Sequence, residues 1–393
     1  MKLIFKKIKS ILSDMDKVLL FFTVFLFLYG LLNIVTASSR EALSYDYDLY
    51  YYFFQQSKML LIGLLGSIII INIDTKHYKK FIPILYFIIL SILIYLYING
   101  EFNRGSKNWI RIFGFKFQPS EFAKIIIIVT MAQIYELFYK KLKNRKEKHY
   151  NLIGFILFMI VSYPIIIYLQ KDFGTMFIML SILALMFLAS PILRIEKIKT
   201  IFYVLIIGVA CGSLALLISG KELLTKEQLS RLNYFNPCSN YEQGGYQVCN
   251  AFIAINNGGL TGLGIGKSQQ KYSYIPEPHT DSVFAIFIEE WGLIAGAIVF
   301  ICYIVILKRI FNIASLASTI RGRYIAFGVG VYIFMHIFIN LGGLFGVIPL
   351  TGVPLPFLSY GGSFTISLMA SLAIVQRINI ETKNQKIKIT GVR

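Results

Sequence analysis

Charge is scarce in this chain. Of 393 residues only 15% are Asp, Glu, Lys or Arg, and just 20 are acidic. A soluble domain carries about 25% charged residues, so an ordinary water-facing surface is excluded. Four cysteines and four histidines form no sequence cluster that demands a metal. There is no internal repeat, no low-complexity linker, and no room for soluble domains between the apolar runs. Apolar and aromatic side chains take the place of the missing charge. The chain is 56% hydrophobic, with 33 Phe and 25 Tyr, and its mean hydropathy is +0.66.

Crossing a hydrocarbon core takes roughly 20 apolar residues. Ten runs qualify, near 18–37, 58–73, 81–99, 121–139, 150–169, 174–191, 200–219, 282–307, 324–348 and 359–376. The second is short, with the aromatic stretch Tyr50–Phe54 available to extend it backwards. The expected fold is an all-α polytopic membrane protein with ten transmembrane helices in a single domain, 1–393. It comprises a basic N-terminus (1–17), a large loop (220–281) between the seventh and eighth spans, and a basic tail (377–393).

Ten spans put both termini on one side. Loops on that side and the termini hold 26 of the 39 Lys and Arg; the opposite loops hold 12, and Lys124 falls inside a span. Positive loops stay in the cytoplasm, so both ends are expected inside and 220–281 outside. The net charge of +19 thus reads as a topology signal with some attraction to anionic lipid, and not as a nucleic-acid footprint. The basic N-terminus and "VTASS" imitate a signal peptide. The first run is longer than a signal's apolar core and nine more follow, so a retained anchor is expected. Cys211 and Cys302 fall in spans; Cys238 and Cys249 share the long loop, where a disulfide and two free thiols both stay open.

Polar chemistry gathers on the outer side. The loop "RGSKNWIRIFGFKFQPSEFAK" carries Arg104, Lys107, Arg111 and Lys116, against the charge rule, and suits an anionic headgroup or pyrophosphate; an interfacial Trp/Arg anchor is the plainer alternative. Next comes a helix start with Ser120 as a capping residue. Glu121 and Lys124, three apart on one helix face, can pair, and ionisable residues at membrane depth are functional candidates. "LQKDFGT" places Lys171 and Asp172 in a short turn, where Asp172 can cap the next span. The loop "NNGGLTGLGIGKSQQ" permits tight turns. "IPLTGVPLPFLSYGGSF" has three prolines and three glycines between the last two spans, a pattern no ordinary helix tolerates. Such backbone near a membrane must be covered by protein or line a cavity. Four loops therefore converge on one boundary site.

These stretches resemble the SEDS family (shape, elongation, division and sporulation; FtsW, RodA, SpoVE). The matching pieces, in the family's order, are "TASS", "NWI…FQPSEFAK", "QKDFGT", "NPCSNYEQGGYQVCNAFIAINNGGLTGLGIGKSQQ", "IPEPHTDSVFAIFIEEWGLI" and "PLTGVPLPFLSYGGS". The cysteine pair, "YIPEPHTD" and "FIAINNGG" are nearer FtsW or SpoVE than RodA. The resemblance implies polymerisation of peptidoglycan strands from lipid II at the outer face of the bacterial cytoplasmic membrane. A class B penicillin-binding protein and other division or elongation proteins would be partners. It also implies that Asp281, of "HTD", is the catalytic carboxylate; the plainer role is a helix N-cap. The candidate substrate-binding set is Lys107, Trp109, Arg111, Gln118, Ser120, Glu121, Lys124, Asp172, Glu277, His279, Thr280, Asn340 and Ser359. Lys124 is expected to line the cavity and to hold substrate or orient Asp281. The family's basic residue before the Trp is replaced here by Asn108. No ligand cluster in the sequence demands a cofactor, and Mg2+ or Mn2+ bridging a pyrophosphate is compatible with the chemistry. A lipid II flippase and a non-catalytic division scaffold are the rival functions.

Overall fold

The computed structural model describes residues 12–100, 106–112, 115–143, 150–192, 194–204, 206, 236–241, 245–273, 275 and 278–390. Its helices are α1 (Lys17–Ala37), α2 (Ser39–Ser44), α3 (Tyr51–Asn72), α4 (Tyr78–Asn99), α5 (Pro119–Lys143), α6 (Tyr150–Leu169) and α7 (Phe173–Ala189). After the long loop's first part come α8 (Tyr246–Gly258), α9 (Gln270–Ser273), α10 (Val283–Leu316), α11 (Ile320–Leu344) and α12 (Gly362–Thr390). The one β-element among the described residues is a hairpin, β1 (Ile110–Ile112) with β2 (Phe115–Phe117).

Seven of the described helices are long and apolar enough to cross a membrane: α1, α3, α4 with its preceding turn, α5, α10, α11 and α12. α7 is apolar but shorter, at 17 residues. The expected span at 200–219 lies mostly outside the described residues. The chain is an all-α multi-pass membrane protein. α3 does begin back in the aromatic stretch, at Tyr51. α12 runs to Thr390, well past the expected end at 376, so the basic tail continues a packed helix.

In lipid there is little hydrophobic drive between helices, so packing and polar contacts assemble the bundle. α5, α11 and α12 form its centre, with most of their apolar windows buried. α1, α3 and α4 turn large side chains such as Phe21, Leu28, Leu65, Ile69, Phe81 and Phe87 outward, as lipid requires.

Charges are collected at one end. Asp16 caps α1 through Leu19 N (2.8 Å) and takes the guanidinium of Arg309. Arg377 binds Asp74 and, at 3.1 Å, Glu381; Arg321 binds Glu136 at 2.8 Å. A cavity of about 420 Å³ at this end, lined by Asp16, Arg309, Asn312, Asn379 and Lys383 among others, is remote from the polar loops singled out above.

The opposite end is built from two irregular devices. The segment 349–361 stays non-helical between α11 and α12 yet is largely buried. α1 covers it: a side chain at Gly30 would meet the Phe357 carbonyl at 2.1 Å, so glycine lets the segment in. The second device is a break in α10 at Gly292 (φ 83°, ψ 169°). The loop at 259–264 fills the break, with Leu293 N donating to Gly259 O (2.9 Å) and Gly264 N to Glu290 O (3.0 Å). Backbone groups freed by the break are thereby satisfied inside the protein.

Candidate functional site

Asp281 sits on the turn that leads into α10. The N-cap of that helix is Ser282, which makes no side-chain capping bond, so Asp281 is not the helix cap that its position suggested. Its main chain is held instead. Asn340 Nδ2, from α11, donates to the Asp281 carbonyl and to the Val353 carbonyl, both at 2.8 Å. Ser359 Oγ donates to the Thr280 carbonyl at 2.5 Å and accepts from Leu355 N at 2.8 Å. Tyr360 N donates to the His279 carbonyl at 2.8 Å. The buried 349–361 segment and α11 therefore clamp the "HTD" turn from below and behind.

The carboxylate keeps its oxygens for lighter contacts. Thr280 Oγ1 lies 3.2 Å from Oδ1, and Gln247 Nε2, from α8, lies 3.4 Å from the same atom. Gln247 Nε2 also donates to Ser282 Oγ at 3.0 Å. Glycine at 352 (φ 71°) leaves space beside the other oxygen, since a Cβ there would stand 3.8 Å from Oδ2. Cys238 and Cys249 are joined as a disulfide that ties the first turns of α8 to the preceding chain.

His279 turns away from Asp281. Its ring reaches Glu41 (Nδ1 to Oε2, 3.2 Å) and packs on Tyr52 and Tyr360. Burial pushes the Tyr360 phenol up to about 12, so it stays neutral. Glu277 and Arg104 lie outside the described residues.

A second polar group adjoins the first. Asp172 caps α7 with one oxygen, accepting from Thr175 N at 3.1 Å. Its other oxygen accepts from Asn108 Nδ2 (2.6 Å) and Gln118 Nε2 (3.1 Å). Asn108, the departure from the family pattern, thus hydrogen-bonds Asp172. Gly174 packs under Thr351 and Val353, where its added Cβ would come within 2.9 Å of Val353 Cγ2. Asp172 and Asp281 therefore flank the same segment, 351–353.

Ser120 is not the cap of α5. Pro119 already begins the helix, Glu121 N donates to Gln118 O at 3.2 Å, and Ser120 Oγ is buried without a partner. Below it, Lys124 is fully buried, with its ammonium 2.8 Å from Glu121 Oε1 and 3.0 Å from His336 Nε2. His336 Nδ1 in turn faces the Pro354 carbonyl at 3.2 Å. The pair is thereby linked to the segment that clamps Asp281. His336 carries no motif of its own, although it stands one helical turn before Asn340 on the same face; Gln247 carries none either.

The basic residues stand on the hairpin. Arg111 faces Lys116 across the ladder, and both are exposed. Like charges directly opposite are unfavourable, so an anion between them would relieve the pair. Lys107 N donates to Gln170 O at 3.0 Å, and Trp109 is half-buried beside it. Gln118 N donates to Ser363 Oγ at 2.8 Å, which ties the hairpin to the head of α12. Among the described residues no three His, Cys, Asp or Glu side chains are grouped to hold a metal ion.

The site thus combines an accessible carboxylate, a second carboxylate spent on structure, and a cationic hairpin at one end of a membrane bundle. Comparison with known proteins agrees with the motif resemblance. The FtsW/RodA/SpoVE family model, described as cell cycle protein, matches residues 17–384. A probable peptidoglycan glycosyltransferase FtsW of Bacillus subtilis is 32% identical over 97% of this chain and 94% of its own. Stage V sporulation protein E of the same organism is 31% identical over 90% and 94%. In fold, a solved chain from a peptidoglycan synthase complex has a TM-score of 0.72 at 20% identity, covering 94% of this chain and 98% of that one. The rod shape determining protein RodA of Thermus thermophilus has a TM-score of 0.66 at 21% identity, covering 93% and 96%. The chain belongs to the FtsW/RodA/SpoVE family of cell cycle proteins.

Proposed function

We propose that this protein is a peptidoglycan glycosyltransferase that polymerises glycan strands from lipid II in cell division or shape maintenance. It sits in the bacterial cytoplasmic membrane, with its site at the outer face. The observation that carries the reading is the setting of Asp281. Its backbone is fixed by Asn340, Ser359 and Tyr360, while the carboxylate is not used as a helix cap. A general base needs a fixed position at the reacting centre, and these backbone bonds supply it.

The reaction follows from the groups present. A sugar hydroxyl of one lipid-linked unit attacks the anomeric carbon of the other. The new C–O bond forms as the bond from that carbon to the pyrophosphate breaks. The hydroxyl proton passes to Asp281, and the negative charge leaving with the pyrophosphate is met by Arg111 and Lys116 on the hairpin. Gln118, Asn108 and Asp172 hold the hairpin's exit against α7, which keeps the cations and the base in register. Lys124, Glu121 and His336 support the 351–354 segment from inside the bundle.

Relatives with this name at about 30% identity over most of the chain support the activity. The fold shared with a chain of a peptidoglycan synthase complex supports a class B penicillin-binding protein as partner. The test is polymerisation of lipid II by the purified full-length protein in liposomes, with and without that transpeptidase. Strands resolved on a gel are expected. Lipid II movement across the bilayer without strands would make it a flippase; neither outcome would make it a scaffold.

A further inference from the structure

A ladder of aromatic rings leads away from the "HTD" turn. From His279 the ring centroids step to Tyr52 (4.8 Å), Tyr51 (5.3 Å), Tyr47 (4.2 Å, stacked) and Tyr45 (6.0 Å). The inner rungs are buried, His279 at 2% and Tyr52 at 8% exposure; the outer rungs are open, Tyr47 at 44% and Tyr45 at 59%. Asp46, in the left-handed region (φ 55°), turns the chain between the two outer tyrosines so that both join the ladder. Tyrosines that only anchor a protein in the membrane interface lie around its perimeter, each inserting its own ring. These rings contact one another in series, one pair stacked and the others tilted or edge-on, and lead inward to the "HTD" turn.

Their chemistry selects a ligand. The electron-rich face of an aromatic ring takes the C–H side of a pyranose. Phenols and carboxylates accept hydrogen bonds from sugar hydroxyls, and Glu41, Asp46 and Asp48 accompany the rings, with Tyr52 Oη donating to Glu41 at 3.3 Å. Arg40 and Lys58 bracket the stretch, but no Lys or Arg occurs between positions 41 and 57, where the acidic side chains disfavour a pyrophosphate against the rings. That group belongs to the Arg111–Lys116 side. The charge difference separates the two groups by chemistry, cations suited to phosphate and acid-lined rings suited to neutral sugar.

We propose that Tyr45, Tyr47, Tyr51 and Tyr52 form a subsite for sugar residues of the elongating glycan strand, gripping it beyond the reacting unit. The inference rests on the glycosyltransferase reading of Asp281. Tyr47→Leu and Tyr51→Leu, singly and together, keep an apolar group for the interface but remove the ring. In the reconstituted full-length protein the first products should form at the wild-type rate. Mean strand length should fall about fivefold, because the strand is released sooner. Tyr47→Phe should keep wild-type length. Unchanged strand length in Leu variants that polymerise normally overturns the subsite and leaves interfacial anchors. Should the Leu variants fail to insert, a benzophenone cross-linker in place of the exposed Tyr45 decides. Capture of the growing strand is expected, and its absence in an actively polymerising protein overturns the proposal. These arms are read only in protein that polymerises, so failure of the Asp281 reading is seen separately, as polymerisation that survives loss of that carboxylate.

Discussion

At the scale of single residues, the site is a carboxylate with a defended position. Gln247 was not legible as part of it, because it lies 34 residues before Asp281 and only the packing of α8 on α10 brings the two together. Its amide reaches the Asp281 carboxylate from α8 at 3.4 Å. Hydrogen bonds to charged groups are worth about 1.5–3 kcal/mol, and this one is long. Gln247→Met should therefore lower kcat on the order of tenfold with little change in KM. Steady-state kinetics on lipid II would measure it, and a wild-type kcat would remove Gln247 from the account. Asp172 shows the other side of the comparison. Its capping role was readable from "KDFGT", whereas its second oxygen, shared by Asn108 and Gln118, depends on a hairpin that no local pattern announces. The cap alternatives at Asp281 and Ser120 failed for a simple reason. Helix starts shift by one or two residues with context, and here Ser282 and Pro119 occupy the boundary.

At the scale of elements, the decisive feature is the break in α10. Apolar periodicity ran through Gly292 as one span, since a single glycine is tolerated in a helix pattern. The break became visible only when the loop at 259–264 was seen to fill it. It separates a short half-helix, buried from Val283 to Glu290 and carrying Asp281 at its head, from the membrane span that follows. The half-helix is latched. Glu290 binds Lys271 at 2.7 Å with both side chains buried, and Glu289 accepts from Asn257 Nδ2 and Gln269 N, both at 3.3 Å, and from Ser268. Along a helix these glutamates stand roughly 12–13 Å from Asp281, so they hold the half-helix and do not exchange its proton. Breaking a buried pair costs about 3–5 kcal/mol because one charge is left unmatched. Glu290→Gln should lower the unfolding temperature of the detergent-solubilised protein sharply. Lys271→Met with Glu290→Leu, which removes both charges, should recover most of it. Equal stability of Glu290→Gln and wild type would contradict the latch.

At the scale of the whole molecule, the long apolar runs carried the all-α multi-pass architecture, because span length is set by the bilayer itself; seven of the described helices are long and apolar enough to cross it. The irregular 349–361 segment was likewise legible, from its prolines and glycines. The loop charge count predicts the orientation. A membrane-impermeant maleimide added to intact cells should leave Lys143→Cys unlabelled until the membrane is opened; labelling from outside would invert the topology. The proposed reaction turns on one carboxylate, Asp281, and the most direct measurement replaces it alone. Asp281→Asn keeps the side chain's shape and removes its basicity. The variant should insert and bind the transpeptidase, yet polymerise lipid II slower by on the order of 10²–10⁴. Polymerisation within a few-fold of wild type would contradict the assignment of Asp281 as the base.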